Sequence, residues 1–331
     1  MDSITRIQTA MRLEKPDRPP FTWWSHTYLE EWEPETLAKV TISRAHRYGW
    51  DFVKLQPRAS VFAEAFGSEY RPSGNAKESP ALVKAGVQSM DDWAKLPEVD
   101  ATHADFSDQV EAIGLVATNL GPRVPVLQTV FSPLTVAGHL IGSDPAGIVR
   151  QLREHPDIVG PALDKIARAL ISFSAASIEA GGSGIFFAVS GYASADLLSR
   201  EEYERLVLPS DRAVIAGFPS EAAWFNILHL CGPRLNFDLA PAFGLPVVSW
   251  SVHEDGNPTL AEGRDRSGLA AMGGLGQKTT LASGSPEDVV AEGRSALEGT
   301  DGRGVILAPG CSVAVTAPPE NLSAVADVVA A

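Results

Sequence analysis

The regular alternation of short apolar runs with longer helix-patterned stretches narrows what this chain can fold into more than any other feature. Runs of strand length fall at residues 21–24, 51–56, 124–131, 185–190, 224–231, 245–251, 269–274 and 304–309. They are short and mostly apolar, and Gly, Pro, Asp or Asn bound most of them, as expected of buried strands closed by turns. Apolar residues at helical spacing mark 3–13, 35–48, 106–118, 144–180, 199–218, a short piece near Phe237, the stretch from Ser285 to Leu297 and a last helix from Pro319 to Val329. Ser285-Pro286-Glu287-Asp288 supplies an N-cap, a proline at the first helical position and acids in the first turn.

Strands and helices alternating in this way over 331 residues predict an α/β chain folded as a (β/α)8 TIM barrel, one domain over residues 1–331. Residues 57–103 interrupt the rhythm with the turn chemistry of Arg71-Pro72-Ser73-Gly74-Asn75 and a short helix start at Met90-Asp91-Asp92-Trp93. This is read as an insertion after the second strand that covers part of the barrel mouth. A doubly wound open sheet is the alternative. No GxGxxG follows the first strand and no Walker-type GK[ST] occurs, so the nucleotide-binding folds lack their usual signature.

A formal charge of −14 opposes binding to nucleic acid or to anionic membranes. No apolar run is long enough to cross a bilayer, and the N-terminus lacks the apolar core of a signal peptide. The protein is therefore expected in the cytoplasm, with its two cysteines reduced.

The run ending Leu228-His229-Leu230-Cys231-Gly232 carries the chemistry. Period-two alternation puts His229 and Cys231 on one face and Leu230 on the other. The second cysteine, Cys311, follows Pro309-Gly310 at the end of the last strand. Two thiolates and an imidazole suit zinc, and three protein ligands leave a fourth position open, as a catalytic site requires. The bland alternative is two core cysteines and a satisfied core histidine. No comparable pair of acids stands at two strand ends. Candidate substrate-binding residues are His26 after the first strand, Lys54 and Gln56 at the end of the second, Tyr192 after the fourth, and Trp250, which with Trp23 and Trp24 could form an aromatic wall. Each has an ordinary reading as well: a loop histidine, a solvated or ion-paired lysine, aromatics that fill the core.

Several segments resemble the uroporphyrinogen decarboxylase superfamily, and within it the zinc-dependent, corrinoid-linked methyltransferase branch. They are Arg6 to Pro20, Ser132-Pro133-Leu134-Thr135, Ala193 to Ser199, Leu228 to Gly232, and Pro309-Gly310-Cys311 with Thr316 to Leu322. The resemblance implies His229, Cys231 and Cys311 as zinc ligands and catalytic centre. It also implies transfer of a methyl group between a corrinoid (cobalamin) carrier and a zinc-bound thiol acceptor. The corrinoid is expected on a separate partner protein, since the chain past Leu322 leaves no room for a carrier domain. Other members act as corrinoid-dependent O-demethylases on methoxylated aromatic substrates. A decarboxylase-like protein or a non-catalytic ligand-binding barrel completes the alternatives. True decarboxylases carry an arginine-rich RQAGR segment where this chain reads Trp23-Trp24-Ser25-His26-Thr27-Tyr28, so decarboxylation is not expected. Many relatives carry an acid near the position of Ser251, so their substrate preference does not transfer.

Overall fold

Strand β1 (Val53–Leu55) opens the sheet, and a hairpin of β2 (Glu69–Arg71) and β3 (Ala81–Lys84) stands apart from it. Then come β4 (Val126–Phe131), β5 (Gly184–Ala188), β6 (Ile227–His229), β7 (Val247–Ser249), β8 (Ala270–Leu275) and β9 (Val305–Pro309). These six and β1 form one seven-stranded parallel sheet in chain order, and helices fill the crossovers. Our computed structural model describes residues 1–218 and 221–330; residues 219, 220 and 331 of the expected single domain lie outside the described part.

The sheet curls, and residues 21–25 stand between its two edges. Phe21 bridges Leu307 of β9 in parallel, and the Leu307 amide donates to the Pro20 carbonyl at 2.9 Å. On the other side the Asp51 amide donates to the Phe21 carbonyl at 3.0 Å, and the Thr22 hydroxyl donates to the Phe52 carbonyl at 2.8 Å. The arrangement is TIM-barrel-like. Only isolated bridges, Phe21 to Leu307 and Ser25 to Val313, form where the first strand was expected, and Pro19 and Pro20 have no amide with which to extend the pairing towards the N-terminus. The buried Asp51 carboxylate also pins this segment: it accepts from the Phe21 amide at 2.9 Å, from Arg6 at 2.7 Å and from Arg18 at 2.7 Å.

Alternation along the strands sorts the core into layers. Phe52, Leu127, Phe186, Ala188, Ile227, Val247, Ala270, Met272, Ile306 and Ala308 pack into one buried cluster inside the curl. Leu228, Leu230, Val248 and Trp250, of opposite parity, pack with the helices outside it.

Two expected helices are divided by proline. Residues 144–180 form Pro145–Glu154 and Pro156–Glu179, and residues 199–218 form Arg200–Leu206 and Leu208–Ala216. Pro156 and Pro209 cannot donate into a continuing helix, so each starts a new one within its first turn. Residues 57–103 hold the short helix Val61–Glu64, the hairpin and a 3₁₀ turn at Met90–Lys95.

Candidate metal centre

β6 ends at His229, and the chain carries Cys231 just past the strand, while Cys311 sits two residues past β9. The Cys231 amide donates to the Ser190 carbonyl at 3.0 Å, which continues the β5 to β6 pairing and holds the thiol on the inner face. One ligand atom from each of His229, Cys231 and Cys311 lies within 4.8 Å of the others. The two Sγ atoms are 3.8 Å apart. Zinc–sulfur bonds of about 2.3 Å at a tetrahedral angle give an S···S edge of about 3.8 Å, so the thiols stand as such a metal needs them. The donor set of two soft thiols and one imidazole fits zinc by its chemistry too.

His229 is held in place by its neighbours. Ser249 is its register partner on β7, and the Ser249 hydroxyl lies 3.2 Å from Nδ1, which leaves Nε2 for the cysteine side. Such outer partners fix ring orientation and ligand basicity. The imidazole packs against Phe186 at 5.0 Å and edge-on to Trp24 at 6.3 Å. Within the thiol pair the Cys231 thiol donates to Cys311, so the negative charge belongs on Cys311, helped by His229, and the Cys231 thiol is pushed up by that bond and by burial.

A polar chain adjoins the centre. The Lys54 ammonium lies 5.5 Å from the Trp24 ring and 5.0 Å from the Phe186 ring, the same two rings that flank His229. It donates to the Gln56 side-chain oxygen. Gln56 Nε2 meets His26 Nε2 at 3.1 Å, and His26 Nδ1 meets Glu31 at 2.9 Å. Burial lowers the Lys54 pKa from 10.5 to about 7, against the pull of Cys311 and Glu31.

The fold thus brings His26, Lys54 and Gln56 into one chain and His229, Cys231 and Cys311 into one cluster. It does not bring Tyr192 or Trp250 to them. Trp250 has the opposite parity to Ser249 and Ser251; its indole N–H donates to the Pro258 carbonyl at 2.9 Å, and its ring meets Phe237 at 4.7 Å outside the sheet. Tyr192 packs in the same outer layer, and a Cβ on Gly138 would stand 1.8 Å from its hydroxyl oxygen. Trp24 joins the centre, whereas Trp23 packs edge-on against Tyr48 and Trp50. Glu31, Phe186 and Ser249 escaped the sequence reading. Period two alone puts Phe186 and Ser249 on the inner face, but Glu31 sits in a loop with no periodicity to read.

A TIM-barrel-like chain that gathers one imidazole and two thiols at the carboxyl ends of its parallel strands has the design of an enzyme that works at the barrel mouth. The chain belongs to the Uroporphyrinogen decarboxylase (URO-D) family, whose profile matches residues 2–331. The family is one of enzymes, and several relatives of this chain are named methyltransferases. The Methylcobamide:CoM methyltransferase MtaA of Methanosarcina barkeri (strain Fusaro / DSM 804) is 30% identical over 296 residues, 88% of this chain and 83% of the relative. The Methylcobamide:CoM methyltransferase MtbA of Methanosarcina mazei is 26% identical over 330 residues, 96% of this chain and 94% of the relative. A uroporphyrinogen decarboxylase of Citrifermentans bemidjiense is 25% identical over 306 residues, 89% and 84% of the two chains. Among solved structures, a methyltransferase from Methanosarcina mazei superposes with a TM-score of 0.82 at 23% identity, covering 99% of this chain and 98% of the other, which establishes the shared fold.

Proposed function

We propose that the chain is a zinc-dependent methyltransferase that moves a methyl group between a corrinoid carrier and a thiol acceptor. The observation that carries this reading is the cluster of His229, Cys231 and Cys311, with its 3.8 Å spacing of thiols. Relatives named as methylcobamide:CoM methyltransferases support it. In the same reading residues 21–24 act as the first strand and complete a closed (β/α)8 barrel, residues 57–103 are an insertion over its mouth, and the whole chain is one domain. The corrinoid arrives on a separate protein, and the reaction belongs in the cytoplasm; no described helix is long and apolar enough to cross a membrane.

His229 Nε2 and the sulfurs of Cys231 and Cys311 would hold the metal, with Ser249 fixing the imidazole. The chemistry that zinc would supply there is Lewis acidity, which would lower the pKa of an acceptor thiol and make its sulfur nucleophilic near neutral pH. Lys54 serves the acceptor from the side. With a pKa near 7 its nitrogen can take up the thiol proton as an amine, or face the thiolate as an ammonium. Trp24 and Phe186 wall off His229 and Lys54 from water. Lys54 alone is too little countercharge for a polycarboxylate. Arg58 is committed to Glu64 at 2.6 Å and to Asp105 at 2.8 Å, which speaks against a decarboxylase.

Zinc analysis and methyl transfer from methylcobalamin to a thiol, on wild type and on Cys311→Ser, test the reading. Wild type is expected to hold one zinc and to consume methylcobalamin; Cys311→Ser is expected to lose both properties while unfolding at nearly the same temperature. Full turnover by a metal-free Cys311→Ser protein would overturn it. Release of methyl from a methoxyarene only when a corrinoid protein is added, with no thiol methylation, would favour O-demethylation instead.

A further inference from the structure

The side chain of His26 has two sides. One meets Gln56 and, through it, Lys54 at the centre; the other lines a cavity of about 300 Å³, within the size range of small-molecule sites. Tyr28 lines it next to His26, Ser60 comes from the loop after β1, Tyr70 from β2, and His139 and Ser143 from the end of helix Pro133–Leu140 and the turn beyond it. His26 and Tyr28 stack with ring centroids 5.0 Å apart and offer a flat aromatic face. Ser60 is 6% exposed, and its hydroxyl has no hydrogen-bond partner. A buried hydroxyl left alone calls for a partner that enters from outside the protein.

The charge of this lining is informative. It holds no lysine, arginine, aspartate or glutamate. His139 is kept neutral at pH 7, because burial lowers its pKa. His26 Nδ1 is already paired with the Glu31 carboxylate at 2.9 Å. An anion entering here would lose its water and gain no countercharge, which is costly. A flat ring with a hydroxyl group would stack on the aromatic face and give Ser60 its partner.

The geometry points to this cavity as the subsite for the non-reacting end of the methyl acceptor, and to an uncharged, hydroxyl-bearing aromatic tail as its occupant. The assignment rests on the thiol-acceptor reading above and narrows it.

Calorimetric binding to the zinc-loaded protein separates the two claims. The ligands are the S-methyl thioethers of 4-hydroxybenzyl thiol, of benzyl thiol and of 2-mercaptoethanesulfonate. The wild type is expected to bind the hydroxybenzyl compound at least tenfold more tightly than either of the others. Ser60→Leu, which fills the cavity, should erase most of that preference. Tyr28→Leu, which removes half of the stacked aromatic face from a partly exposed loop position, should reduce it about threefold and decides the matter if Ser60→Leu fails to fold. Equal or tighter binding of the sulfonate, or a preference indifferent to both substitutions, would overturn the subsite. Selective, substitution-sensitive binding without methylation of any thiol would leave the subsite standing and sink the transfer reading. Thiol methylation that ignores the tail would do the reverse.

Discussion

Replacing Lys54 by methionine should stabilise the protein and cripple it, and the size of the gain should depend on pH in a particular direction. Lys54 is 6% exposed, and burial brings its pKa from 10.5 down to about 7. At ~1.4 kcal/mol per pH unit, that shift of roughly 3.5 units corresponds to a cost of ~5 kcal/mol for keeping the ammonium in the fold. Methionine has similar reach and no charge. The substitution gives up two contacts: a cation over Trp24 and Phe186, worth ~1 kcal/mol, and a donor to Gln56, whose loss costs ~1–3 kcal/mol. A net gain of ~1–3 kcal/mol at pH 6.5 remains. Below pH 7 both folded and unfolded lysine hold the proton, so the full cost is present. Between 7 and 10.5 the unfolded chain binds a proton that the folded chain has released, so wild-type stability rises with pH by ~1.4 kcal/mol per unit. The advantage of Lys54→Met should therefore shrink by ~2 kcal/mol between pH 7 and pH 9, the slope reaching its full value once the folded lysine has lost its proton. Urea unfolding across this range, on chelator-treated protein so that metal does not alter the charge of the cysteines, measures it. Methyl transfer, assayed on zinc-loaded protein, should fall at least tenfold. A variant less stable than wild type at pH 6.5, or an advantage unchanged at pH 9, would refute the reasoning.

Ser249→Ala removes the hydroxyl beside His229 Nδ1 and should weaken zinc binding about tenfold, read by competition with a chromophoric chelator; equal affinity would show that the ring is held by packing alone. Asp211 is fully buried, accepts from the Tyr203 hydroxyl at 2.6 Å, and burial raises its pKa from 3.8 to about 8. The unfolded chain releases this proton from pH 3.8 upward while the folded chain keeps it, so the residue costs stability increasingly between pH 4 and 8. Asp211→Asn should gain on wild type by ~1.4 kcal/mol per pH unit between pH 5 and 7.5 in denaturant titrations, and a constant difference would exclude a neutral buried acid.

Much of the centre was legible in the order of residues. Alternation alone puts Phe52, Lys54 and Gln56 on one face, and His229 and Cys231 on another run's matching face, because side chains in a strand repeat every two residues. The same rule argues against Trp250 as a wall of the site, since Ser249 and Ser251 take the opposite parity; its aromatic bulk drew attention that its position did not support. Tyr192 lies past the end of β5, in a loop where parity no longer applies, and it packs against Gly138 on a helix. Helix ends were harder to read. Apolar periodicity ran straight through Pro156 and Pro209, and only the missing amide broke it.

Taken by itself, the sequence determined the alternation of strand and helix, the face on which each strand residue stands and which side chains carry soft donor atoms, because all of these depend on local periodicity and on residue chemistry. Tertiary structure decided how strands far apart in the chain stand next to one another. It set Ser249 opposite His229, brought Cys311 within 3.8 Å of Cys231, and folded the loop that carries Glu31 under His26. Residues 21–25 lie between β9 and β1 for the same reason: two chain-distant edges of a curled sheet have open hydrogen-bonding groups, and Asp51, Arg6 and Arg18 hold the segment that satisfies part of them. Register and closure depend on contacts between residues up to hundreds of positions apart, which no local pattern encodes.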